Sequence, residues 1–243
     1  MSASLSSNKF GPSVGSTPAQ PPTYDINLVG QYTTIVAVHP DHADALYAQI
    51  SGIDRAHLFD YLFDYPPASA ASWRATLAEK AATTNPWTYT ILLNPSSPGE
   101  DPIPVGLAAL MRMDLPNRVI EIGSLLYSPK LQRTRAATEA QYLLASYVFD
   151  TLHFRRYEWK CNSLNEPSMR AAARLGFTYE GTFRQHMVQK GRNRDTAWFS
   201  VVDGEWQGIK KGMEGWLSRD NFDDEGRQRR RLEEFRGEVQ EFD

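Results

Sequence analysis

The 243-residue chain is 41% hydrophobic with six Trp and eleven Phe, enough to fill the core of one domain carrying extensions. Its net charge of −3 sits entirely at the end, since Arg219 to Asp243 holds six basic and nine acidic residues; the neutral body argues against a nucleic-acid-binding face. No apolar run approaches the ~18–20 residues of a membrane span, no secretory apolar segment follows Lys9, and the lone Cys161 suits a reducing compartment, so a cytoplasmic, non-membrane protein is expected.

In chain order, residues 1–23 are rich in Ser, Pro, Gly and Ala and predict a flexible tail. Residues 24–218 carry the pattern of one α/β domain. A strand begins near Gln31, where T-T-I-V-A-V is β-branched, and His39-Pro40-Asp41 opens a helix over Ala43–Ile50. A second short helix is predicted over Ala56–Phe63, a break at Pro66-Pro67, and a longer helix over 70–82. Strands follow at Trp87–Leu93, Val105–Met113 and Val119–Tyr127. A helix over 137–152 places Ala140, Leu143, Leu144, Tyr147 and Val148 at helical spacing. Then come a strand at Tyr157–Cys161, a helix at Glu166–Leu175, and a hairpin of Phe177–Gln189 with Thr196–Asp203 about Gly191-Arg192-Asn193. Residues 219–243 read as a charged tail, helical and solvated or disordered, with Leu232, Phe235 and Val239 in one narrow stripe.

The segment Gln132-Arg133-Thr134-Arg135-Ala136-Ala137-Thr138 is a basic, small-residue loop running into an amphipathic helix. The first amides of a helix lack partners and carry partial positive charge, so they can bind a diphosphate where side chains are small. Arg133 and Arg135 add charge within reach of phosphate oxygens. An ordinary basic loop capping a surface helix is the alternative.

Further on lie Asn165-x-x-Ser168 and Leu175-Gly176-Phe177. The ordered set of loop, helix, strand, second helix and Gly-Phe turn resembles the acyl-CoA-binding half of the GNAT superfamily of N-acetyltransferases. Within it, the nearest likeness is to the branch that acetylates N-terminal amines of ribosomal proteins. The resemblance runs from about Leu28 to Gly215. It implies a mixed, twisted, mostly antiparallel sheet flanked by helices, with acetyl-CoA as donor and a primary amine, either a protein N-terminus or a small molecule, as acceptor. The family's pyrophosphate loop reads (Gln/Arg)-x-x-Gly-x-(Gly/Ala), with Gln132 and Ala137 at its first and last positions. Arg135 departs from it, standing where glycine is usual.

Acetyl transfer to an amine needs a proton acceptor for the amine and a proton for the leaving thiolate. Glu121, flanked by Ile120 and Ile122 in a strand, is the candidate base; partial burial would raise its pKa. An acid at an exposed strand edge, or one paired with arginine, is the other reading. The resemblance assigns Gly123, Ser124 and Leu125 to the pantetheine arm, Asn165 to cofactor contact and Ser168 to the leaving thiolate. Asn165 and Ser168 also read as a plain helix cap. Cys161 is expected to be inert, and His39 with His42 lack the acids or cysteines of a metal site, so no metal is predicted. Phe59, Tyr61 and Trp73 suit an aromatic lid or core packing, and the basic turn at residues 191–195 either borders the acceptor pocket or is a plain surface turn. Transfer is expected to be direct, in a monomer or homodimer. A non-catalytic acyl-CoA sensor of the same fold, favoured by Arg135, is the second reading.

Overall fold

A computed structural model of the chain describes residues 11–97 and 99–236. Strands β1 (Asn27–Val29), β2 (Thr33–Ala37), β3 (Trp87–Leu93), β4 (Ile103–Asp114), β5 (Val119–Tyr127), β6 (Arg156–Asn162), β7 (Thr178–Gln189) and β8 (Arg192–Val202) form one sheet. The order is β1-β2-β3-β4-β5-β6-β8-β7, and only the β5–β6 pair is parallel. Helices α1 (Ala43–Ile50) and α2 (Ala70–Ala81) cover one face, packing Leu46, Ile50, Trp73 and Leu77 against Leu107 and Leu126. Helices α3 (Arg135–Ser146), α4 (Glu166–Leu175) and α5 (Asp203–Leu217) cover the other, where Ala140, Leu144, Tyr157, Trp206 and Met213 are buried.

Most predicted elements are present, with four differences. The second short helix is a 3-10 stretch at Ile53–Phe59. The helix predicted from 137 begins at Arg135, because Thr134 caps it, and ends in a π turn over Tyr147–Thr151. The short β1 and the whole of α5 are absent from the predicted elements, although Trp206, Ile209, Met213 and Trp216 recur at helical spacing in α5. Four glycines in α5 (204, 208, 212 and 215) each lower helix propensity by about 1 kcal/mol relative to Ala, so tertiary contacts must hold the helix.

Those contacts explain the glycines and correct the reading of the charged tail. A Cβ on Gly212 would come within 2.8 Å of Arg236 Cγ, and one on Gly215 within 2.8 Å of Phe235 Cδ1. The chain beyond α5 therefore lies on the helix as a packed flap. Leu232 is fully buried and Phe222 nearly so, with Phe222 edge-on to Trp216 at 5.1 Å. Asn221 Nδ2 donates to Trp216 O (3.0 Å) and Arg230 O (3.2 Å), and its Oδ1 accepts from Arg230 N (3.0 Å). Residues 218–236 are thus neither solvated helix nor free chain; Val239 and Phe242 lie outside the described residues. The N-terminal reading changes in part too. Residues 1–10 are outside the described set, but Ala19 is buried, and the amides of Ala19 and Gln20 donate to Leu115 O (3.1 Å) and Leu152 O (2.9 Å).

Two local features shape the centre of the sheet. The β5–β6 register runs from Val119↔Arg156 to Ile122↔Trp159 and stops there. Beyond it β5 pairs with β4 alone and bulges: Ala109 faces Gly123 while Leu107 faces Leu126, and Ser124 takes a left-handed backbone at φ 49°. A bulge bends its strand and increases local twist, so β5 swings away and a wedge opens between the two strands. On the β1–β2 side, the buried Glu139 carboxylate accepts from the amides of Gln31 (2.8 Å), Tyr32 (2.7 Å) and Thr33 (2.8 Å). This ties the first turn of α3 to the sheet edge.

Candidate active site

At the mouth of the wedge, the chain turns from β5 into α3. The amides of Leu131 and Gln132 donate to Ser128 O (2.9 and 3.0 Å), and that of Thr134 to Leu131 O (3.3 Å). Gln132 folds its side chain back, donating to Tyr127 O (2.9 Å). Thr134 Oγ1 accepts from Ala137 N (3.2 Å). Among the described residues, the amides of Arg133, Arg135 and Ala136 have no intramolecular acceptor. Arg133, exposed and at φ 60°, takes the strained conformation of the loop. Arg135 does not: it begins the helix, and its guanidinium is held between Tyr32 (4.7 Å) and Phe222 (4.5 Å). The expectation that this side chain reaches a phosphate is therefore corrected. It anchors the C-terminal flap and leaves the helix amides uncovered. The buried hydroxyl of Thr138 accepts from Arg174 (3.1 Å) and ties α3 to α4.

Glu121 sits on the central strand, 5% exposed, which removes the exposed-edge reading. Its Oε2 lies 2.9 Å from Lys160 Nζ and 3.4 Å from Arg112 Nε. That oxygen is an ion-pair partner of both cations, so the pairing with arginine is present. Burial raises the Glu121 pKa and outweighs the opposing pull of Lys160 and Arg112. Gly123 makes room for this arrangement, since a Cβ there would meet Met111 Cε at 3.1 Å and Glu121 Oε1 at 3.4 Å. The left-handed kink falls one residue later, at exposed Ser124, with Leu125 half-buried beyond it.

Ser168 lies on the opposite side of the sheet. Side chains alternate along a strand: Glu158 and Lys160 of β6 look towards Glu121, whereas Trp159 and Cys161 look towards α4. Trp159 Nε1 donates to Ser168 Oγ (3.0 Å), so the Ser168 proton points elsewhere, with Cys161 beside it. Asn165 caps α4, its Oδ1 accepting from Ser168 N (3.2 Å). Burial pushes the Cys161 thiol up, outweighing the hydrogen bond with Ser168 and the charge of Arg194, which both lower it, so it holds its proton. The structure brings Ser168 to Trp159 and Glu121 to Lys160, but Glu121 and Ser168 face each other only through the wedge.

Several residues of the Glu121 side went unmarked in the sequence: Arg112, Glu158, Lys160, His186 and Trp198; Arg194 was marked only as part of the 191–195 turn. Lys160 Nζ lies 3.7 Å from the centre of the Trp198 ring, and Glu158 Oε2 is 2.7 Å from Lys160. The alternation in R-Y-E-W-K-C-N could have shown Arg156, Glu158 and Lys160 sharing one face. The others come from β4 (Arg112), β8 (Arg194, Trp198) and β7 (His186), and β7 bulges between Phe183 and Met187 beside an open cavity of about 640 Å³ lined by Phe183, Arg184, Gln185 and His186. Of the proposed aromatic lid, Phe59 and Trp73 are core, edge-on at 6.4 Å. Tyr61 alone reaches the site, donating to Leu164 O (2.9 Å). His39 and His42 cap the 3-10 turn Pro40–His42.

Residues 33–178 match the family described as the acetyltransferase (GNAT) domain. A GCN5-related N-acetyltransferase from Brucella melitensis is 44% identical, with a TM-score of 0.85 over 90% of this chain and 97% of its own. A GNAT-family acetyltransferase structure from Chromobacterium violaceum ATCC 12472 is 33% identical, with a TM-score of 0.71 over 82% of this chain and 98% of that one. In sequence alone, YdaF of Bacillus subtilis (strain 168), provisionally named a ribosomal N-acetyltransferase, is 27% identical over 187 residues, 75% of this chain and 97% of that protein.

Proposed function

The chain belongs to the GNAT family of N-acetyltransferases, and from that premise we propose that it moves an acetyl group from acetyl-CoA to a primary amine by direct attack in a ternary complex. The observation that carries this reading is the wedge between β5 and β6, with a buried carboxylate on one face and a proton-bearing hydroxyl on the other. Acetyl-CoA supplies the thioester. The free amides of Arg133, Arg135 and Ala136, beside the small Ala136 and Ala137, suit its diphosphate. The unpaired backbone edge of Gly123, Ser124 and Leu125 suits its pantetheine arm, with the Asn165 carboxamide nearby on α4.

Glu121 is the acceptor for the amine proton as the new C–N bond forms, its raised pKa bringing it nearer to that of the attacking group. Ser168 donates a proton to the sulfur as the C–S bond breaks, while Trp159 holds its oxygen in place. A covalent route through Cys161 is disfavoured, because burial keeps the thiol protonated. Arg135, which favours a non-catalytic binder in the sequence, turns its side chain away from the loop, so the departure from glycine no longer supports that reading. A protein N-terminus and a small amine are both compatible acceptors.

Two measurements test the proposal together. Acetyl-CoA at a hundredfold excess over Kd should stabilise the fold by about 2.7 kcal/mol, read as a thermal shift. A panel of amines should then release free CoA thiol. Absence of binding at millimolar acetyl-CoA refutes the reading, and binding without thiol release from any amine turns it into the sensor.

A further inference from the structure

The ionic groups around Glu121 form a chain: Arg112–Glu121 (3.4 Å), Glu121–Lys160 (2.9 Å), Lys160–Glu158 (2.7 Å), Glu158–Arg156 (2.7 Å), then Arg156 to Glu180. Three cations meet three carboxylates, so the chain is internally neutral. Arg194 stands beside it and belongs to no ion pair among the described residues. It is 7% exposed. Its Nε donates to Thr196 Oγ1 (3.2 Å), and its guanidinium lies 5.5 Å from the Phe63 ring centre. Thr196 in turn meets His186 Nδ1 (3.0 Å), at the wall of the open cavity.

A buried arginine without a counter-ion is costly, since moving a guanidinium out of water is repaid only by a partner charge. Burial pulls the Arg194 pKa down, with Cys161 and Glu121 pulling it up and Arg112 adding to the fall. Glu121 is therefore close enough to couple but is already engaged by Lys160 and Arg112. His186 offers no negative charge to Arg194, and because its pKa is lowered, by burial first and then by Arg112, Arg194 and Lys160, it adds no second positive charge near neutral pH. The acceptor side of the wedge thus holds one excess positive charge, under the aromatic edge of Phe63.

We propose that Arg194 is the acceptor-specificity residue, and that the amine acceptor carries a carboxylate which Arg194 binds while the amine faces Glu121. Resting on the acetyltransferase reading above, this narrows the acceptor to anionic amines and disfavours polyamines and amino-sugars, whose added positive charge would meet Arg194, Arg112 and Lys160. The carboxylate has two sources, a free amino acid or the acidic side chain of a peptide N-terminus, and both present the same planar anion to the guanidinium fork.

The test is thiol release from acetyl-CoA by the full chain, with each acceptor paired to its neutral amide: leucine against leucinamide, and the tripeptide amide Ser-Asp-Leu against Ser-Asn-Leu. The anionic member of at least one pair should have a kcat/KM about 10- to 100-fold higher, the range of one charge-assisted hydrogen-bonded contact; which pair responds identifies the source. In Arg194→Met that ratio should collapse through KM, with kcat largely kept, and Arg194→Lys should restore part of it. The Met variant should also melt no lower than the parent, because it removes an uncompensated buried charge. Equal rates within both pairs overturn the proposal and leave the acetyltransferase reading intact. Thiol release from none of the four, with release from a cationic amine such as a polyamine, also overturns the proposal alone; release from no amine at all overturns both.

Discussion

Replacing Leu232 by alanine removes a fully buried side chain from the flap that covers α5. Leu→Ala changes in cores cost about 2–5 kcal/mol, the larger values where the surroundings cannot collapse into the cavity. Here one wall is the backbone of α5, brought close by Gly212 and Gly215, and the other is a flap without long regular structure that can settle part of the way inwards. A loss of about 3 kcal/mol is expected, in the middle of that range. For a chain of this length, 1 kcal/mol corresponds to roughly 2–4 °C, so Tm should fall by about 6–12 °C. Far-ultraviolet circular dichroism melts of Leu232→Ala, with Leu232→Met as a volume-conserving control, provide the measurement. The flap also reaches the cofactor loop, since Phe222 and Tyr32 hold Arg135 between them. Phe222→Ala should therefore weaken acetyl-CoA binding by a few-fold, about the magnitude of one partly exposed cation–π contact. If Leu232→Ala melts within about 1 °C of the parent, far below the range for a buried leucine, the flap is not part of the core.

Glu121→Gln should lower kcat by about 10²–10⁴ with acetyl-CoA affinity kept, and a higher pH, which frees the amine, should recover part of the rate; parental turnover at pH 7 excludes Glu121 as the base. The folded-state pKa of Glu121 is raised by burial, so the folded form holds the proton longer than the unfolded chain. Stability should then fall as pH rises from the ordinary glutamate range through the raised value, and the Gln variant should lack that component in pH-dependent melts. Ser168→Ala should lower kcat and also leave the Trp159 indole N–H without its acceptor, at about 1–3 kcal/mol. If only Tm moves and kcat does not, Ser168 serves the indole alone.

The two periodicities of 2.0 and 3.6 residues are local properties, and they marked α1, α2, α4 and strands β3 and β5 within a residue of their observed limits. The loop before α3 was legible for the same reason, because free amides at a helix start follow from helix geometry alone. Tertiary structure decided the rest. α5 keeps Trp206, Ile209, Met213 and Trp216 at helical spacing, but only the flap packed against Gly212 and Gly215 shows why glycine stands in it. The flap is mostly charged, and its few apolar residues, Phe222, Leu232 and Phe235, matter only because α5 presents a surface to receive them. In sequence Arg135 reads as a phosphate-loop cation and Arg194 as part of a basic turn. One lies between two aromatic rings from distant segments, and the other sits buried beside an ion-pair chain that four strands assemble. The pairs within β6 follow from alternation along that strand, but those to Arg112, Glu121 and Glu180 depend on distances across the sheet, which no spacing along the chain encodes.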